Sequence, residues 1–92
     1  MKICIAGATG AFGTKHLDAV AAIEGVDVIS VVDVVEDRLQ EVAENRGIAH
    51  WTTDLAESLA RSDVEAVILA TPTQLHTEQA IQCLEAGKHV LV

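Results

Sequence analysis

The chain has 92 residues, half of them hydrophobic and only 2% aromatic, and its formal net charge is −8. This length corresponds to one domain. Its few basic residues are scattered, so the chain lacks the basic patch that binding to nucleic acid requires. No membrane segment is expected, because the longest apolar run, residues 66–70, is far shorter than the ~20 residues of a spanning helix.

The two cysteines, Cys4 and Cys83, lie inside predicted elements and belong to no C-x-x-C or Cys/His cluster. Each position is typical of a small buried hydrophobe, and no metal site is predicted. Glycines interrupt the amino-terminal stretch where the apolar segment of a signal peptide would continue. We therefore expect a reduced, cytoplasmic protein without a disulfide.

Short apolar runs alternate with stretches of helical period along the whole chain. Strands are predicted at residues 2–6, 26–33, 48–51, 66–70 and 89–92. Helices are predicted at residues 11–24, 36–46 and 75–86, with a short helix between them that Asp54 caps and Glu57 completes as a capping box. This alternation predicts the α/β class: a doubly wound parallel Rossmann sheet, order 3-2-1-4-5, with helices on both faces.

The helical period also predicts which side chains face the sheet. The inward positions are Leu17, Val20 and Ala21 in the first helix, Leu39, Val42 and Ala43 in the second, and Ala80, Ile81 and Leu84 in the last.

Glycines fall into two groups. One group follows helices and precedes strands, where a left-handed cap favours glycine: Gly25, Gly47 and Gly87. The other group, Gly7, Gly10 and Gly13, lies between the first strand and the first helix. There, glycine lets the backbone approach a pyrophosphate, and the helix amino terminus offers free N–H groups. Gly13 would also allow close packing of the helix on the sheet.

The spacing of this loop departs from G-x-G-x-x-G. Gly10 and Gly13 match the last two glycines, but Ala8 occupies the first position, and Gly7 makes the loop one residue longer. Ala11 and Phe12 fill the turn between Gly10 and Gly13. Such a loop alone also fits a glycine-rich turn without a ligand.

Asp33 strengthens the prediction of a dinucleotide site, because it ends the second strand 20 residues after Gly13. An acid at about this distance binds the adenosine ribose hydroxyls. The same carboxylate would repel the 2′-phosphate of NADP by about 4 kcal/mol at ~4 Å and an effective dielectric near 20. NAD is therefore the expected cofactor and NADP the less favoured one. Arg38 is the counter-argument, although we expect Asp37 and Glu41 to engage it.

Thr71-Pro72-Thr73 follows the fourth strand, whose carboxyl end shares the topological switch point with the first strand. Pro72 ends the strand, and the threonine hydroxyls would lie near the nicotinamide. Capping of the fourth helix is the alternative role for either threonine. His16 and His76 fall in the first turns of helices that begin at this crevice, and structural hydrogen bonding is the expected role of each. The predicted cofactor-binding residues are Gly7, Gly10, Ala11, Phe12, Gly13, Asp33, Thr71, Pro72, Thr73 and His76.

Over almost its whole length, the sequence resembles the amino-terminal domain of the glucose–fructose oxidoreductase / inositol dehydrogenase (Gfo/Idh/MocA) family. The segments that carry the resemblance are 3–6 with 10–13 and His16, then 31–33, 63–68 leading into 70–72 with His76, and 85–92 (EAGKHVLV). A strand, Thr-Pro, helix and A-G-K-H-V in this order is the most specific part.

The resemblance implies an NAD(P)-dependent enzyme of two domains that transfers hydride between nicotinamide and a hydroxyl or aldehyde carbon of a small polar substrate. Family members carry Glu-Lys-Pro directly after the G-K-H-V strand, and its lysine acts in catalysis. That motif would begin after Val92, and the substrate domain with its usual catalytic histidine is absent from residues 1–92. We therefore expect residues 1–92 to be the dinucleotide-binding domain, inactive alone and without catalytic residues, of a homo-oligomeric enzyme.

Two other interpretations remain open at this point. A non-catalytic nucleotide-sensing module would share the glycine loop and Asp33, but not the Thr-Pro and A-G-K-H-V segments. An extended short-chain dehydrogenase is suggested by Gly7-Ala8-Thr9-Gly10, but the chain has no tyrosine and so lacks the Tyr-x-x-x-Lys pair of that class.

Overall fold

The computed structural model describes residues 1–92 and contains one parallel sheet ordered β3-β2-β1-β4-β5. The strands are β1 (Lys2–Ala6), β2 (Asp27–Val32), β3 (His50–Thr52), β4 (Ala66–Leu69) and β5 (His89–Leu91). The helices are α1 (Ala11–Ala21), α2 (Glu36–Arg46), α3 (Leu55–Leu59) and α4 (His76–Glu85), with a 3₁₀ turn at Thr73–Leu75 before α4. The predicted fold class and strand order are confirmed.

The central strand β1 divides the core into two layers. Its side chains alternate, so that Ile3 and Ile5 point to one face of the sheet and Cys4 and Ala6 to the other. Helices α1 and α2 cover the first face, with Leu17, Val20, Leu39 and Ala43 buried against it. Leu55 and Leu59 of α3 and Cys83 of α4 cover the second face. The sheet is therefore doubly wound.

The glycines after the helices and the charges of α2 fit their positions at the helix ends. Gly25, Gly47 and Gly87 all have positive φ angles, as expected of glycines that lead from a helix into a strand. Helix α2 carries Glu36 and Asp37 in its first turn and Arg46 in its last, which matches the helix dipole. No helix of the chain has the length and apolar character needed to cross a bilayer.

Helix α1 is shorter than the predicted 11–24, because its last turn tightens. The Ala22 and Ile23 N–H groups donate to the Ala19 and Val20 carbonyls, and the chain then turns into β2. Ala21, predicted to face inward, is exposed.

The inward face of α4 also differs from the prediction. Ile81 and Leu84 are 51% and 61% exposed, whereas Cys83 is fully buried and Ala80 is half-buried. The apolar residues of α4 form two neighbouring stripes, one with Ala80 and Cys83 and the other with Ile81 and Leu84. The stripe with the smaller side chains faces the sheet, which permits close contact between α4 and the short strands beneath it.

The capping box predicted for α3 is only half formed. The Ala56 N–H donates to the Asp54 carboxylate over 3.0 Å, as expected of an N-cap. Glu57 does not reach the Asp54 N–H, because the Thr52 hydroxyl lies between them. This hydroxyl donates to Glu57 over 2.7 Å and accepts from the Asp54 N–H over 3.1 Å.

The tightest contact of α1 with the loop after β1 lies at Gly13. A Cβ atom there would stand 2.0 Å from the Gly7 carbonyl oxygen, so the backbones touch without room for a methyl group. Gly25, by contrast, has a φ of +85° but no atom within 4 Å of its virtual Cβ.

We expect Gly13→Ala to lower the free energy of unfolding by roughly 3 kcal/mol or more, since overpacking against backbone forces α1 away from the sheet. Gly25→Ala is the matched control and should lose only about 1–2 kcal/mol, the cost of a left-handed residue with a side chain. Urea unfolding monitored by circular dichroism measures both. Equal losses in the two variants would contradict the close contact.

Candidate functional site

A crevice of about 510 Å³ opens at the carboxyl ends of β1, β2 and β4. Eight of the residues that sequence analysis singled out line it: Gly7, Gly10, Ala11, Phe12, Asp33, Thr71, Pro72 and Thr73. The connection after β1 runs to α1 on one face of the sheet, and the connection after β4 runs to α4 on the other face. Such a switch point separates the connecting loops and leaves room for a ligand.

The loop after β1 is fastened to both neighbouring strands. The Gly7 and Ala8 N–H groups donate to the Val32 carbonyl at the end of β2, over 2.8 and 3.2 Å. On the other side, a Cβ atom on Gly7 would lie 2.6 Å from the Ala70 carbonyl oxygen, and the Gly7 φ is +82°. Gly7 therefore meets two requirements of glycine, a left-handed backbone and contact with a neighbouring chain segment.

Helix α1 begins at the crevice with unpaired donors. No backbone or side-chain acceptor lies within hydrogen-bond distance of the Ala11, Phe12 and Gly13 N–H groups. Gly10 at the N-cap has no side chain to cap them, and the first turn carries no acid. The positive end of the helix and its free N–H groups therefore form an anion site of the kind that binds a pyrophosphate.

Asp33 forms the opposite wall and is held by the same loop. Its Oδ2 atom accepts hydrogen bonds from the Thr9 N–H over 2.9 Å and from the Thr9 hydroxyl over 2.6 Å, and its Oδ1 accepts from the Val34 N–H over 2.7 Å. Burial alone would raise the pKa of this carboxyl. The hydrogen bonds from Thr9 and from the backbone of Val34 and Val35 outweigh burial and hold the pKa below its ordinary value of 3.8, so Asp33 is ionised at neutral pH.

The side of the crevice next to β4 carries neutral polar groups. The Thr71 hydroxyl donates to the Gln79 side-chain carbonyl, and the His76 Nε2–H donates to the Thr71 carbonyl over 2.6 Å. Both contacts fix the turn between β4 and α4. Neither Thr71 nor Thr73 caps a helix, because the 3₁₀ turn and α4 begin without side-chain capping bonds.

Two of the predicted residues do not line the crevice. Gly13 lies beneath the loop and acts through packing, and His76 supports Thr71 from behind. The structural hydrogen bond expected of His76 is therefore present, whereas His16 makes none. Arg38 is exposed and forms no ion pair with Asp37 or Glu41, contrary to expectation, and it does not line the crevice.

Sequence analysis did not assign Thr9 or Gln79 to the site, although both line it. Thr9 occupies one of the x positions of the glycine loop, so the loop pattern alone carries no signal for it. Gln79 lies one helical turn into α4, and only the tertiary contact with Thr71 reveals it.

A second, smaller groove of about 270 Å³ lies at the opposite end of the sheet, where Asp27 begins β2. Six of its eight lining residues are hydrophobic. It contains neither free helix N–H groups nor glycine turns, so the crevice at the carboxyl ends is the candidate site.

Comparison with known proteins adds evidence on the family of the chain. The family model described as an oxidoreductase family with an NAD-binding Rossmann fold, Gfo/Idh/MocA, matches residues 1–92. A 4-carboxy-2-hydroxymuconate-6-semialdehyde dehydrogenase from Sphingobium sp. (strain NBRC 103272 / SYK-6) is 55% identical over 92 residues, which cover 100% of this chain and 29% of that protein. Residues 10–18 and 71–74 already indicate a likeness to this enzyme within the family, and the match confirms it.

Solved structures show both nicotinamide cofactors among similar proteins. GenD2 from gentamicin A biosynthesis, in complex with NAD, has a TM-score of 0.93 at 35% identity, covering 100% of this chain and 26% of that chain. KijD10, a 3-ketoreductase from Actinomadura kijaniata in complex with TDP-benzene and NADP, has a TM-score of 0.88 at 29% identity, covering 99% and 28%. The chain spans between 26% and 29% of the first curated relatives that it matches.

The ionised state of Asp33 links its hydrogen bonds to the stability of the fold. A carboxyl whose pKa is lower in the folded than in the unfolded chain stabilises the fold above the unfolded pKa and loses this effect as pH falls through the folded value.

We therefore expect the stability advantage of the unmodified chain over Asp33→Asn to be complete above about pH 5 and to shrink as pH falls below 3.8. Urea unfolding of both proteins between pH 7 and pH 2.5 measures this difference. An advantage that does not change with pH would show that the hydrogen bonds to Asp33 do not require its charge.

Proposed function

Because the chain belongs to the Gfo/Idh/MocA oxidoreductase family, we propose that residues 1–92 are the cofactor domain of a dehydrogenase. The reaction is hydride transfer between nicotinamide and a hydroxyl or aldehyde carbon of a small polar substrate. The strongest support is the pairing, across one crevice, of the free N–H groups of Ala11 and Phe12 with the ionised Asp33. The family match favours this function over a nucleotide-sensing module or a short-chain dehydrogenase.

In this proposal the dinucleotide lies across the carboxyl ends of β2, β1 and β4. Its pyrophosphate receives hydrogen bonds from the loop Gly7–Gly13 and the start of α1, where the absence of a side chain at Gly10 leaves room for it. The adenosine ribose hydroxyls donate to Asp33. The nicotinamide, which supplies or accepts the hydride, lies toward Thr71, Pro72 and Thr73.

The remaining predicted residues have supporting roles in the proposal. Phe12 lines the crevice with 71% of its surface exposed, and the Lys15 ammonium lies 5.8 Å from the centre of its ring. A positive charge therefore stands beside the loop that would hold the pyrophosphate. His76 acts indirectly, since its hydrogen bond to the Thr71 carbonyl fixes the turn under the nicotinamide.

NAD fits this crevice better than NADP does. Asp33 is fixed by three hydrogen bonds and stays ionised, so it cannot easily move away from a 2′-phosphate. Arg38, the nearest candidate in sequence to neutralise such a phosphate, does not line the crevice. The acids Glu36 and Asp37 in the first turn of α2 add further negative charge on that side.

Further parts of the proposal concern the whole protein. The relatives are longer than this chain, which supports a substrate domain elsewhere in the polypeptide. The Sphingobium relative is named for a semialdehyde, which supports a small aldehyde or hydroxyl substrate. The two cysteines are free and buried, which supports a reducing compartment such as the cytoplasm. We also propose a homo-oligomer, with no role for nucleic acid or membrane.

Titration with NADH and NADPH tests the cofactor preference. We expect NADH to bind at least about tenfold more tightly, because the charge repulsion at Asp33 outweighs the screening by solvent in this half-buried site. Asp33→Ser should weaken NADH and strengthen NADPH. Asp18→Ser, which removes the same charge on the exposed face of α1, is the control and should change neither. Equal or tighter NADPH binding by the unmodified chain would refute the assignment.

The 92-residue chain should bind NADH but catalyse no turnover. Hydride transfer needs a substrate held in line with nicotinamide, and the crevice supplies only one wall for it. Incubation with NAD or NADP and a panel of polyols and semialdehydes, followed at 340 nm, measures this directly. Reproducible cofactor reduction by the chain alone would contradict the proposed division into cofactor and substrate parts.

A further inference from the structure

Thr9 lies between Ala8 and Gly10 in the glycine loop, and it contacts the Asp33 side of the crevice. Both of its polar donors, the N–H and the hydroxyl, bind the Oδ2 atom of Asp33, at 2.9 and 2.6 Å. Thr9 and Asp33 are 24 residues apart in sequence and both are half-buried. The contact therefore joins the loop after β1 directly to the end of β2.

These bonds restrict the Asp33 side chain more than a single contact would. Two donors from one residue fix the position of Oδ2, and the Val34 N–H fixes Oδ1 at 2.7 Å. Any rotation of the carboxylate away from the crevice must break the bonds to Thr9. Because hydrogen bonds to a charged group are stronger than neutral ones, this rotation is costly.

We propose that Thr9 is a positioning residue that holds the Asp33 carboxylate toward the ribose and thereby determines selectivity for NAD over NADP. This inference rests on the proposed function, since it assumes that the crevice binds a nicotinamide dinucleotide. It adds a residue outside the acid itself to the determinants of selectivity.

The physical reason lies in what each cofactor requires of the carboxylate. NAD offers two ribose hydroxyls that donate to a carboxylate already in place, so a fixed Asp33 pays no ordering entropy on binding. NADP presents a phosphate at the same point and can bind only if the carboxylate withdraws. The Thr9 hydroxyl opposes that withdrawal. Removal of the hydroxyl should therefore weaken the binding of NAD and reduce the repulsion of NADP.

Thr9→Val tests this, because valine keeps the branched shape and the backbone N–H but lacks the hydroxyl donor. Thr9→Ser keeps a hydroxyl and is the rescue variant, and Thr9→Ala removes the hydroxyl without an apolar branch. Thr77→Val, on the exposed face of α4 away from the crevice, is the matched control. Thermal unfolding of each variant verifies that the fold is retained.

The readouts are the dissociation constants of NADH and NADPH and the pKa of the Asp33 carboxyl from an NMR pH titration. In Thr9→Val and Thr9→Ala we expect NADH binding to weaken roughly three- to tenfold, because a carboxylate that Thr9 no longer holds must be ordered when the ribose binds. NADPH should weaken less or bind more tightly, so the selectivity ratio falls. The Asp33 pKa should rise toward its ordinary value. Thr9→Ser and Thr77→Val should preserve the ratio and the pKa.

An equal loss of both nucleotides in Thr9→Val and Thr9→Ala would overturn the inference, because it would assign Thr9 to loop structure alone. An unchanged Asp33 pKa would also overturn it. If the unmodified chain binds neither nucleotide, the proposed function fails and this inference fails with it. The pKa titration separates the two cases, because it reports the Thr9–Asp33 contact without any nucleotide.

Discussion

The contact between two backbones at Gly7 and Gly13 determines where everything else in the crevice lies. A methyl group at Gly13 would stand 2.0 Å from the Gly7 carbonyl oxygen, and one at Gly7 would stand 2.6 Å from the Ala70 carbonyl oxygen. Because no side chain separates these segments, the loop lies directly against the ends of β2 and β4. This position directs the first turn of α1 into the crevice and brings Thr9 within hydrogen-bond distance of Asp33.

The crevice presents dipoles and N–H groups to an anionic ligand, and it presents no basic side chains. None of its lining residues is Lys, Arg or His, and its one charged residue is Asp33. A ligand with negative charge at its centre and hydroxyls at one end satisfies both features. Free N–H groups are fixed by the helix and need no reorganisation when an anion binds, whereas a flexible lysine must lose rotamer freedom.

Sequence reasoning succeeded where a feature depends on neighbouring residues. The period of apolar positions predicted the strands and the glycines predicted the turns, so the sheet order followed from chirality rules. It failed where two distant segments decide the outcome. The buried stripe of α4 depended on which side chains fit against short strands, and the Thr9–Asp33 bond depended on how far the loop descends. Neither property belongs to a local stretch of residues.

Asp33 serves the fold as well as the proposed ribose contact, and this double role constrains how cofactor preference could change. The carboxylate accepts hydrogen bonds from Thr9 and from the backbone after β2. Its removal therefore leaves half-buried donors without an acceptor. A substitution that only removes the negative charge therefore also loosens the loop that we propose to hold the pyrophosphate. The gain in NADPH affinity that we expect from Asp33→Ser is therefore smaller than the lost repulsion alone would give. Under the proposed function, selectivity would belong to the pair of residues, because the loop proposed to bind the phosphates also orients Asp33 through Thr9.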